Sequence, residues 1–243
     1  MKRKIIAFNW KMNPATIKDA GNLFRFTEKY AKQPIIMASP YIYLPLLSGL
    51  KSKLRAKNIL LASQDSFLGS SGAFTGAISP EMLLEFGISY SIIGHSERRY
   101  VFGEDDNLIR AKVAGAQEYG ITPILCVGER KKMSVEASWK IVKKQLSKDI
   151  EHAKKNNLII AYEPVWSIGG NKPTDAQHSV GMINKIKSFL YTVYGIRVSV
   201  LYGGSVNCKN IDTFLKYKEI DGYLVGSASL KKDQISCIIN KVI

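Results

Sequence analysis

The sequence predicts an α/β fold in which eight parallel strands close into a barrel surrounded by helices. Short apolar runs of strand-forming residues recur along the chain and alternate with longer stretches in which apolar residues have helical spacing. The length of 243 residues is common for such a barrel. Because no Pro/Ser-rich linker or low-complexity tract interrupts the alternation, we expect residues 1–243 to form one domain.

The predicted strands are short and mostly apolar. They lie at residues 4–10, 35–39, 58–63, 88–94, 121–127, 158–163, 197–202 and 222–225. Helices are predicted between them, for example at residues 131–155 and 175–194, where Ile183, Ile186 and Leu190 fall on one face. An open, doubly wound sheet is the structural alternative, but no G-x-G-x-x-G pattern follows the first strand.

Composition narrows the class of protein and its compartment. Hydrophobic residues make up 46% and charged residues 23%, as in ordinary globular proteins, and no apolar run approaches the roughly 18 residues of a membrane span. The basic N-terminus precedes an apolar run that is too short for a signal peptide. Cys126, Cys208 and Cys237 have neither metal-ligand spacing nor an even count, which favours a reducing cytoplasm. We therefore expect a cytoplasmic protein with no membrane partner.

The formal net charge of +15 raises the question of nucleic-acid binding. The lysines, however, fall on helix-like segments, as Lys140, Lys143, Lys144 and Lys148 do, which is typical of a solvated face. No basic strand interleaved with aromatic residues is present to stack bases. We expect no nucleic-acid partner, and a lysine-rich surface that attracts anionic ligands.

Candidate functional residues are those that follow the strands, because parallel barrels gather their chemistry at the carboxyl ends of the strands. The residues at these ends are Asn9-Trp10-Lys11 after the first strand, His95 after the fourth, Glu163 after the sixth, Gly203-Gly204-Ser205 after the seventh and Gly226-Ser227 after the eighth. Glycine-rich turns present backbone N–H groups to anions, and the last two strands often hold phosphate in barrel enzymes. The sequence therefore predicts a phosphorylated substrate.

The stretch after the sixth strand also has the pattern of a lid. Glu163 ends an apolar run that Pro164 stops, so that a carboxylate lies at a strand tip. Trp166 and Ile168 follow without an obvious partner in their own segment, and a glycine pair begins at Gly169. Large apolar residues next to flexible glycines predict a lid on a hinge.

The whole chain closely resembles the triosephosphate isomerase family. The resemblance lies in residues 8–13 (FNWKMN), 72–76 (GAFTG), 92–99 (IIGHSERR), 125–129 (LCVGE), 161–166 (AYEPVW), 201–206 (LYGGSV) and 221–226 (DGYLVG). It implies a TIM barrel that interconverts dihydroxyacetone phosphate and glyceraldehyde 3-phosphate through an enediolate. It implies no metal and no cofactor.

The resemblance also implies a role for each candidate residue. Glu163 is the base, and closure of Ile168 and Leu224 over it is expected to raise its pKa. His95 polarises the substrate oxygens as a neutral imidazole, and Lys11 and Asn9 stabilise the developing charge. Finally, the residues with supporting or binding roles are Glu97 beside Lys11 and His95, and Gly169, Ser205, Gly226 and Ser227 at the phosphate. His152 and His178 are expected to be solvated surface residues.

Three positions depart from the family pattern. Ser227 replaces a usual glycine, at a cost on the order of 1 kcal/mol if this residue needs φ > 0. Pro173 is expected to stiffen the far hinge of the lid. Ala77 replaces the usual Glu partner of Arg98 in the loop of residues 67–80, which the resemblance implies forms a homodimer by inserting Thr75 into the neighbouring subunit.

Two other classes of protein remain open from the sequence. One is a barrel enzyme that acts on a different sugar phosphate or heterocycle phosphate, which would not need the Trp166 lid together with Asn9 and Lys11. The other is a non-enzymatic protein that binds anions or adheres to surfaces through its positive charge. The presence of Lys11, His95 and Glu163 together argues against this second class, because folding alone does not require all three.

Overall fold

A computed structural model describes residues 3–154, 157–168 and 175–242. The described residues form eight strands, all paired in parallel with their neighbours in chain order, and β8 pairs with β1 to close the barrel. The strands are β1 Ile5–Asn9, β2 Ile35–Ala38, β3 Ile59–Ser63, β4 Tyr90–Ile93, β5 Thr122–Val127, β6 Ile159–Tyr162, β7 Ser199–Tyr202 and β8 Gly222–Val225. The predicted fold class is confirmed, and every strand lies within its predicted range.

Helices follow the strands around the outside of the barrel. They are α1 Ile17–Tyr30, α2 Leu44–Leu54, α3 Pro80–Leu84, α4 Ser96–Tyr100, α5 Asp106–Glu118, α6 Val135–Asp149, α7 Ala176–Tyr194, α8 Ile211–Leu215 and α9 Lys232–Val242. Side-chain caps fix several starts: Ser134 accepts the N–H of Ala137 at α6, and Asp175 accepts the N–H of Gln177 at α7. Because Ser134 caps α6, this helix starts later than the predicted 131–155, and it also ends earlier, at Asp149. No helix in the described ranges is long and apolar enough to span a bilayer.

Two apolar layers hold the barrel together. The larger layer fills the space between strands and helices, where the fully buried side chains include Phe8, Ile160 and Tyr202. The smaller layer fills the barrel interior with residues from alternate strand positions, among them Ala7 and Ala161. Because neighbouring side chains on a strand point to opposite faces, each strand contributes to both layers.

This alternation also positions the functional residues. On β6, Ile159 and Ala161 point into the barrel, and Glu163 is the next position with the same parity. On β1, Ala7 points inward and Asn9 is the next such residue. The polar side chains therefore continue the inward-facing rows beyond the last apolar layer, at the mouth of the barrel.

The cysteines differ from the sequence expectation. Cys208, just before α8, is joined by a disulfide to Cys237 on α9, with 5.8 Å between their Cα atoms, whereas Cys126 is a buried thiol. The odd count had favoured a reducing compartment, but an odd count is compatible with one pair and one remaining thiol. The sequence did not reveal the pair because its members are 29 residues apart and meet only through tertiary packing.

Candidate active site

A cavity of about 690 Å³ opens at the carboxyl ends of the strands. The predicted residues that line it are Asn9, Lys11, His95, Glu163, Ser205, Leu224, Gly226 and Ser227, together with the lid residue Ile168. The strand-end prediction thus selected side chains that share one cavity. The predicted phosphate contact of Gly169 and the hinge at Pro173 fall within residues 169–174, which lie outside the described ranges.

Glu163 is bound at both of its carboxylate oxygens although only 2% of the residue is exposed. Its Oε1 lies 3.1 Å from Nε2 of His95, and its Oε2 accepts the backbone N–H of Ser96 at 2.9 Å. Burial raises the pKa of Glu163, but His95 and the Ser96 N–H outweigh burial, so the pKa lies below its usual value. The expected increase in the pKa of Glu163 is therefore wrong for this state, because the sequence did not reveal the contact with His95.

His95 forms the N-cap of α4, and its Nδ1 accepts the backbone N–H of Glu97 at 3.2 Å. Burial lowers the pKa of His95, but the carboxylate of Glu163 outweighs burial and holds the pKa above its usual value. An Nδ1 that accepts a hydrogen bond carries no proton. When the ring is neutral, its single proton is therefore on Nε2, which donates it in a hydrogen bond to Glu163.

Lys11 and Glu97 form an ion pair beside His95. The ammonium of Lys11 lies 2.5 Å from Oε1 of Glu97, and Oε2 of Glu97 lies 3.5 Å from Nδ1 of His95. Lys11 has a positive φ of 54° and is held there by its N–H bond to Asn9 Oδ1 at 3.0 Å and by Gln64, which donates to its carbonyl at 2.9 Å. The predicted position of Glu97 near both partners agrees with these contacts.

The opposite side of the cavity has little side-chain bulk. A Cβ on Gly204 would lie 2.2 Å from the hydroxyl oxygen of Tyr202, so only glycine fits there. Ser227 begins a short 3-10 turn, Ser227–Leu230, and the only non-glycine residues with positive φ among those described are Lys11 and Arg55. The backbone strain considered for Ser227 therefore does not arise.

A second polar cluster lies beneath Trp166, and it was not predicted from the sequence. The fully buried Glu129 accepts the indole N–H of Trp166 at 2.8 Å and the hydroxyl of Tyr162 at 3.0 Å. His178 on α7 reaches the same hydroxyl with Nε2 at 3.1 Å. The prediction that His178 is a solvated surface residue is thus wrong, whereas His152 is exposed as expected. One signal was available in the sequence. His178 lies four residues before Met182, which is buried on α7, and residues four apart share one face of a helix.

Arg98 is not left unpaired by the alanine at position 77. It pairs within the chain with Glu104 and, at 3.1 Å, with Asp65. The buried Lys112 joins the same two carboxylates at 2.5 and 2.7 Å. This intrachain network supports the segment after α4 without any contribution from Ala77.

The site combines a carboxylate, an imidazole and an ammonium on one side with a glycine-lined turn on the other. Within the described ranges, no group of three or more His, Cys, Asp or Glu side chains is placed to hold a metal ion. These groups can move protons and stabilise an oxyanion next to a bound anion. The fold and the site together define a barrel enzyme that performs acid–base chemistry on a small anionic substrate.

Comparison with known proteins identifies the family. The sequence pattern described as "Triosephosphate isomerase" matches residues 4–242. A protein of that name from Dictyoglomus thermophilum is 41% identical over 242 residues, covering 95% of this chain and 96% of the relative. Namesakes from Picosynechococcus sp. and Thermoanaerobacter pseudethanolicus are 37% and 38% identical, and cover 100% and 99% of this chain and 100% of each relative. The chain belongs to the triosephosphate isomerase family.

Proposed function

We propose that this protein interconverts dihydroxyacetone phosphate and D-glyceraldehyde 3-phosphate through an enediolate, a reaction of both glycolysis and gluconeogenesis. The observation that carries this proposal is the contact between Glu163 and His95 in a cavity that Lys11 and a glycine-lined turn also line. The reaction moves one proton between adjacent carbons and one between their oxygens. It therefore needs a base at carbon and a proton donor at oxygen, and it consumes no other reactant.

Glu163 is the base that removes the carbon-bound proton. In the described state its carboxylate is held by His95 and Ser96, which lowers its pKa and keeps it ionised. A substrate whose oxygens take the hydrogen bond of His95 removes the largest of these opposing interactions. Burial then raises the pKa of Glu163 with less opposition, and the higher pKa makes Glu163 a stronger base next to the substrate.

His95 donates its Nε2 proton to the substrate oxygens and moves protons between them. The backbone N–H of Glu97 supports this role because it keeps Nδ1 unprotonated. Lys11 and Asn9 stabilise the negative charge that develops on the enediolate, and Glu97 positions both Lys11 and His95.

The phosphate binds on the side of Ser205, Gly226 and Ser227, with Gly169 contributing from the lid. Ser205 follows β7 and Gly226 follows β8, and both line the cavity that holds Glu163. Ile168 and Leu224 line the same cavity and exclude water from Glu163.

A coupled assay with glyceraldehyde 3-phosphate tests this proposal. We expect turnover by the wild type and, in contrast, no turnover beyond background by a His95→Ala, Glu163→Ala double variant that remains folded. A barrel enzyme for another phosphate ester would bind phosphate but would not turn over this substrate. An anion-binding protein without catalysis would give the same rate for the wild type and the double variant.

We further propose that two copies of the chain form a homodimer through the loop of residues 67–80. In this loop Thr75 is exposed, and the ring of Phe74 is 52% exposed. Nearby segments of the chain expose further large apolar side chains, namely Met82, Leu84, Phe86, Val101 and Phe102. Large exposed apolar residues concentrated in a few segments are typical of protein interfaces.

Sedimentation measures this association. At about micromolar concentration we expect a dimer for the wild type and a shift toward monomer for Phe74→Asp, because a charge would be buried in the interface. Val193→Asp on α7 is the matched control, since it places the same charge on another exposed apolar residue (Val193 is 58% exposed). A wild type that sediments as a monomer would contradict the dimer.

The chain is proposed to act as one domain spanning residues 1–243 in the cytoplasm, where the substrates of glycolysis occur. The disulfide of Cys208 and Cys237 is more typical of oxidising compartments, so the proposal rests on the substrates and not on the cysteines. Fractionation of the source cells followed by the isomerase assay tests the compartment. Activity confined to a secreted or membrane fraction would contradict it.

A further inference from the structure

The active-site cavity extends beyond the catalytic groups to a second wall. This wall contains Asn207 and Lys209 from the segment between β7 and α8, Lys231 just before α9, and Gln234 in the first turn of α9. Cavities of roughly 300–1,000 Å³ hold drug-sized ligands, and a triose phosphate is much smaller. The cavity of about 690 Å³ therefore has room for a longer ligand than the substrate.

The second wall carries two lysines whose charges are not paired. Within the described part of the chain, the ammonium groups of Lys209 and Lys231 make no hydrogen bond or ion pair, although both side chains line the cavity. Nearby lysines differ, since Lys241 pairs with Asp212 and Lys11 pairs with Glu97. Lys231 interacts electrostatically with the exposed carboxylate of Asp233, which also accepts the side-chain N–H of Gln234. Two cations without a direct ion-pair partner among the described residues still attract anions to this cavity wall.

The wall is held in place by covalent and polar links between its two halves. The disulfide of Cys208 and Cys237 joins the segment before α8 to α9, and the N–H of Cys208 donates to Oε1 of Gln234 at 2.9 Å. The side chain of Asn207 accepts the N–H of Lys209 at 2.9 Å, which fixes the backbone that carries this lysine. The two lysines thus project from a constrained surface. Ligand binding therefore loses little additional conformational entropy of the backbone that carries them.

We propose that Lys209 and Lys231 form a second anion subsite that takes the second phosphate of a small bisphosphate. This inference rests on the proposed function, because one phosphate of the ligand would occupy the substrate's phosphate site between Ser205 and Gly226. The second phosphate would lie against the two lysines, with Asn207 and Gln234 at the same wall. Such a ligand competes with the triose phosphate and forms no covalent bond.

Competitive inhibition by a matched pair of compounds tests the subsite. Propane-1,3-diyl bisphosphate carries two phosphates, and propyl phosphate is the control that carries one. We expect the bisphosphate to inhibit the wild-type isomerase at least about tenfold more tightly than propyl phosphate, since charge-assisted phosphate contacts are strong. Equal inhibition constants for the two compounds would overturn the proposal.

Two double variants separate the subsite from the general field of a chain with net charge +15. Lys209→Gln with Lys231→Gln should bring the ratio of the two inhibition constants close to one while changing propyl phosphate inhibition by less than about threefold. Lys216→Gln with Lys218→Gln removes the same charge from exposed residues that do not line the cavity, and should leave the ratio unchanged. An equal fall of the ratio in both double variants would overturn the proposal.

The same experiment distinguishes failure of the subsite from failure of the proposed function. Absence of turnover in the wild type contradicts the isomerase assignment. In that case titration calorimetry with the two compounds still measures the ratio of their affinities in the wild type and both double variants. A ratio near one by calorimetry overturns the subsite, and a high ratio lost only in the Lys209, Lys231 variant supports it.

Discussion

At the scale of single residues, the position of the Glu163 carboxylate determines what the site can do. A Cβ at position 203, which glycine lacks, would lie 3.0 Å from Cγ of Glu163, so the glycine leaves the space that the Glu163 side chain occupies. We predict that Glu163→Asp, which retracts the carboxylate by one methylene, lowers kcat by about 100-fold or more. Inhibition by propyl phosphate should change little, because the proposed phosphate contacts are made by residues other than Glu163.

Steady-state kinetics with glyceraldehyde 3-phosphate, together with the inhibition constant of propyl phosphate, checks this prediction. Glu163→Gln is a useful companion variant because it keeps the side-chain length and removes the charge. Equal losses of turnover and of phosphate affinity in Glu163→Asp would indicate that Glu163 supports the structure and is not the base.

The Glu163 and His95 pair should also make stability depend on pH. The pKa of Glu163 is lowered from 4.5, so its contribution is present above about pH 4.5 and is lost as pH falls through the lowered value. The pKa of His95 is raised from 6.5, so its contribution is full below about pH 6.5 and is lost as pH rises through the raised value. Both contributions coexist between these limits.

We therefore predict that Glu163→Gln lowers the free energy of unfolding most between about pH 4.5 and 6.5 and less at about pH 8. Urea denaturation of the wild type and the variant across this range measures the difference. In His95→Asn the variation with pH should be reduced, because the titrating partner is gone. A difference at about pH 8 as large as that between about pH 4.5 and 6.5 would contradict the pairing.

Most residues of the candidate site could be predicted from the sequence. The two predictions that were wrong, the pKa of Glu163 and the exposure of His178, have a common cause. Asn9 ends a strand, and Lys11, His95 and Glu163 follow strands, so their meeting at one mouth results from the closed parallel barrel. The direction of the Glu163 pKa could not be predicted, because it depends on which groups contact the carboxylate. His178 was misassigned for the same reason: its partners lie on β6 and after β5, remote in sequence.

At the scale of secondary-structure elements, the ends of β5 and β6 approach so closely that the base depends on a glycine. A Cβ on Gly128 would lie 1.7 Å from the carbonyl oxygen of Glu163. We predict that Gly128→Ala separates the two strand ends, lowers the free energy of unfolding by roughly 1–3 kcal/mol or more and reduces kcat as Glu163 moves.

Urea denaturation and the isomerase assay measure these two effects. Gly49→Ala on α2 is the matched control, because a Cβ there has no atom within 4 Å and alanine favours helices. A Gly128→Ala variant with wild-type stability and turnover would show that the strand ends separate without consequence for the base.

The disulfide between the segment before α8 and helix α9 makes a second prediction at this scale. A cross-link over 29 residues restricts the unfolded chain, so replacing both Cys208 and Cys237 with Ser should lower the free energy of unfolding by about 2–4 kcal/mol. A thiol reductant should lower the stability of the wild type similarly and leave the double variant unchanged. Wild-type stability that does not respond to the reductant would contradict this prediction.

Element boundaries were predicted within a few residues, and the differences have local causes. The predicted strands extended further than the observed ones because buried apolar residues continue beyond the strand ends, as at Ile88 and Trp10. The predicted helix at 131–155 began too early because its actual start depends on Ser134 as a cap. Helix α7, by contrast, begins after Asp175 and ends at Tyr194 as predicted.

At the scale of the whole molecule, the barrel could be predicted because its pattern is repeated eight times along the chain. Because the alternation of strand and helix is repeated, the barrel is still predicted when one strand is placed wrongly in the sequence. What the sequence could not supply is the proximity of segments from different repeats. The wall that carries Lys209 and Lys231, and the bond between Cys208 and Cys237, both arise only once the ends of β7 and β8 are adjacent.

The backbone of Lys11 illustrates a trade-off between robustness and activity. A side-chain-bearing residue at φ = 54° sits in a conformation that costs on the order of 1–3 kcal/mol, and glycine would relieve this cost. Glycine would also delete the ammonium beside Glu97. Under the proposed function the ammonium of Lys11 is required at the mouth of the barrel, so selection for turnover keeps lysine at this position although glycine would fit its backbone conformation better.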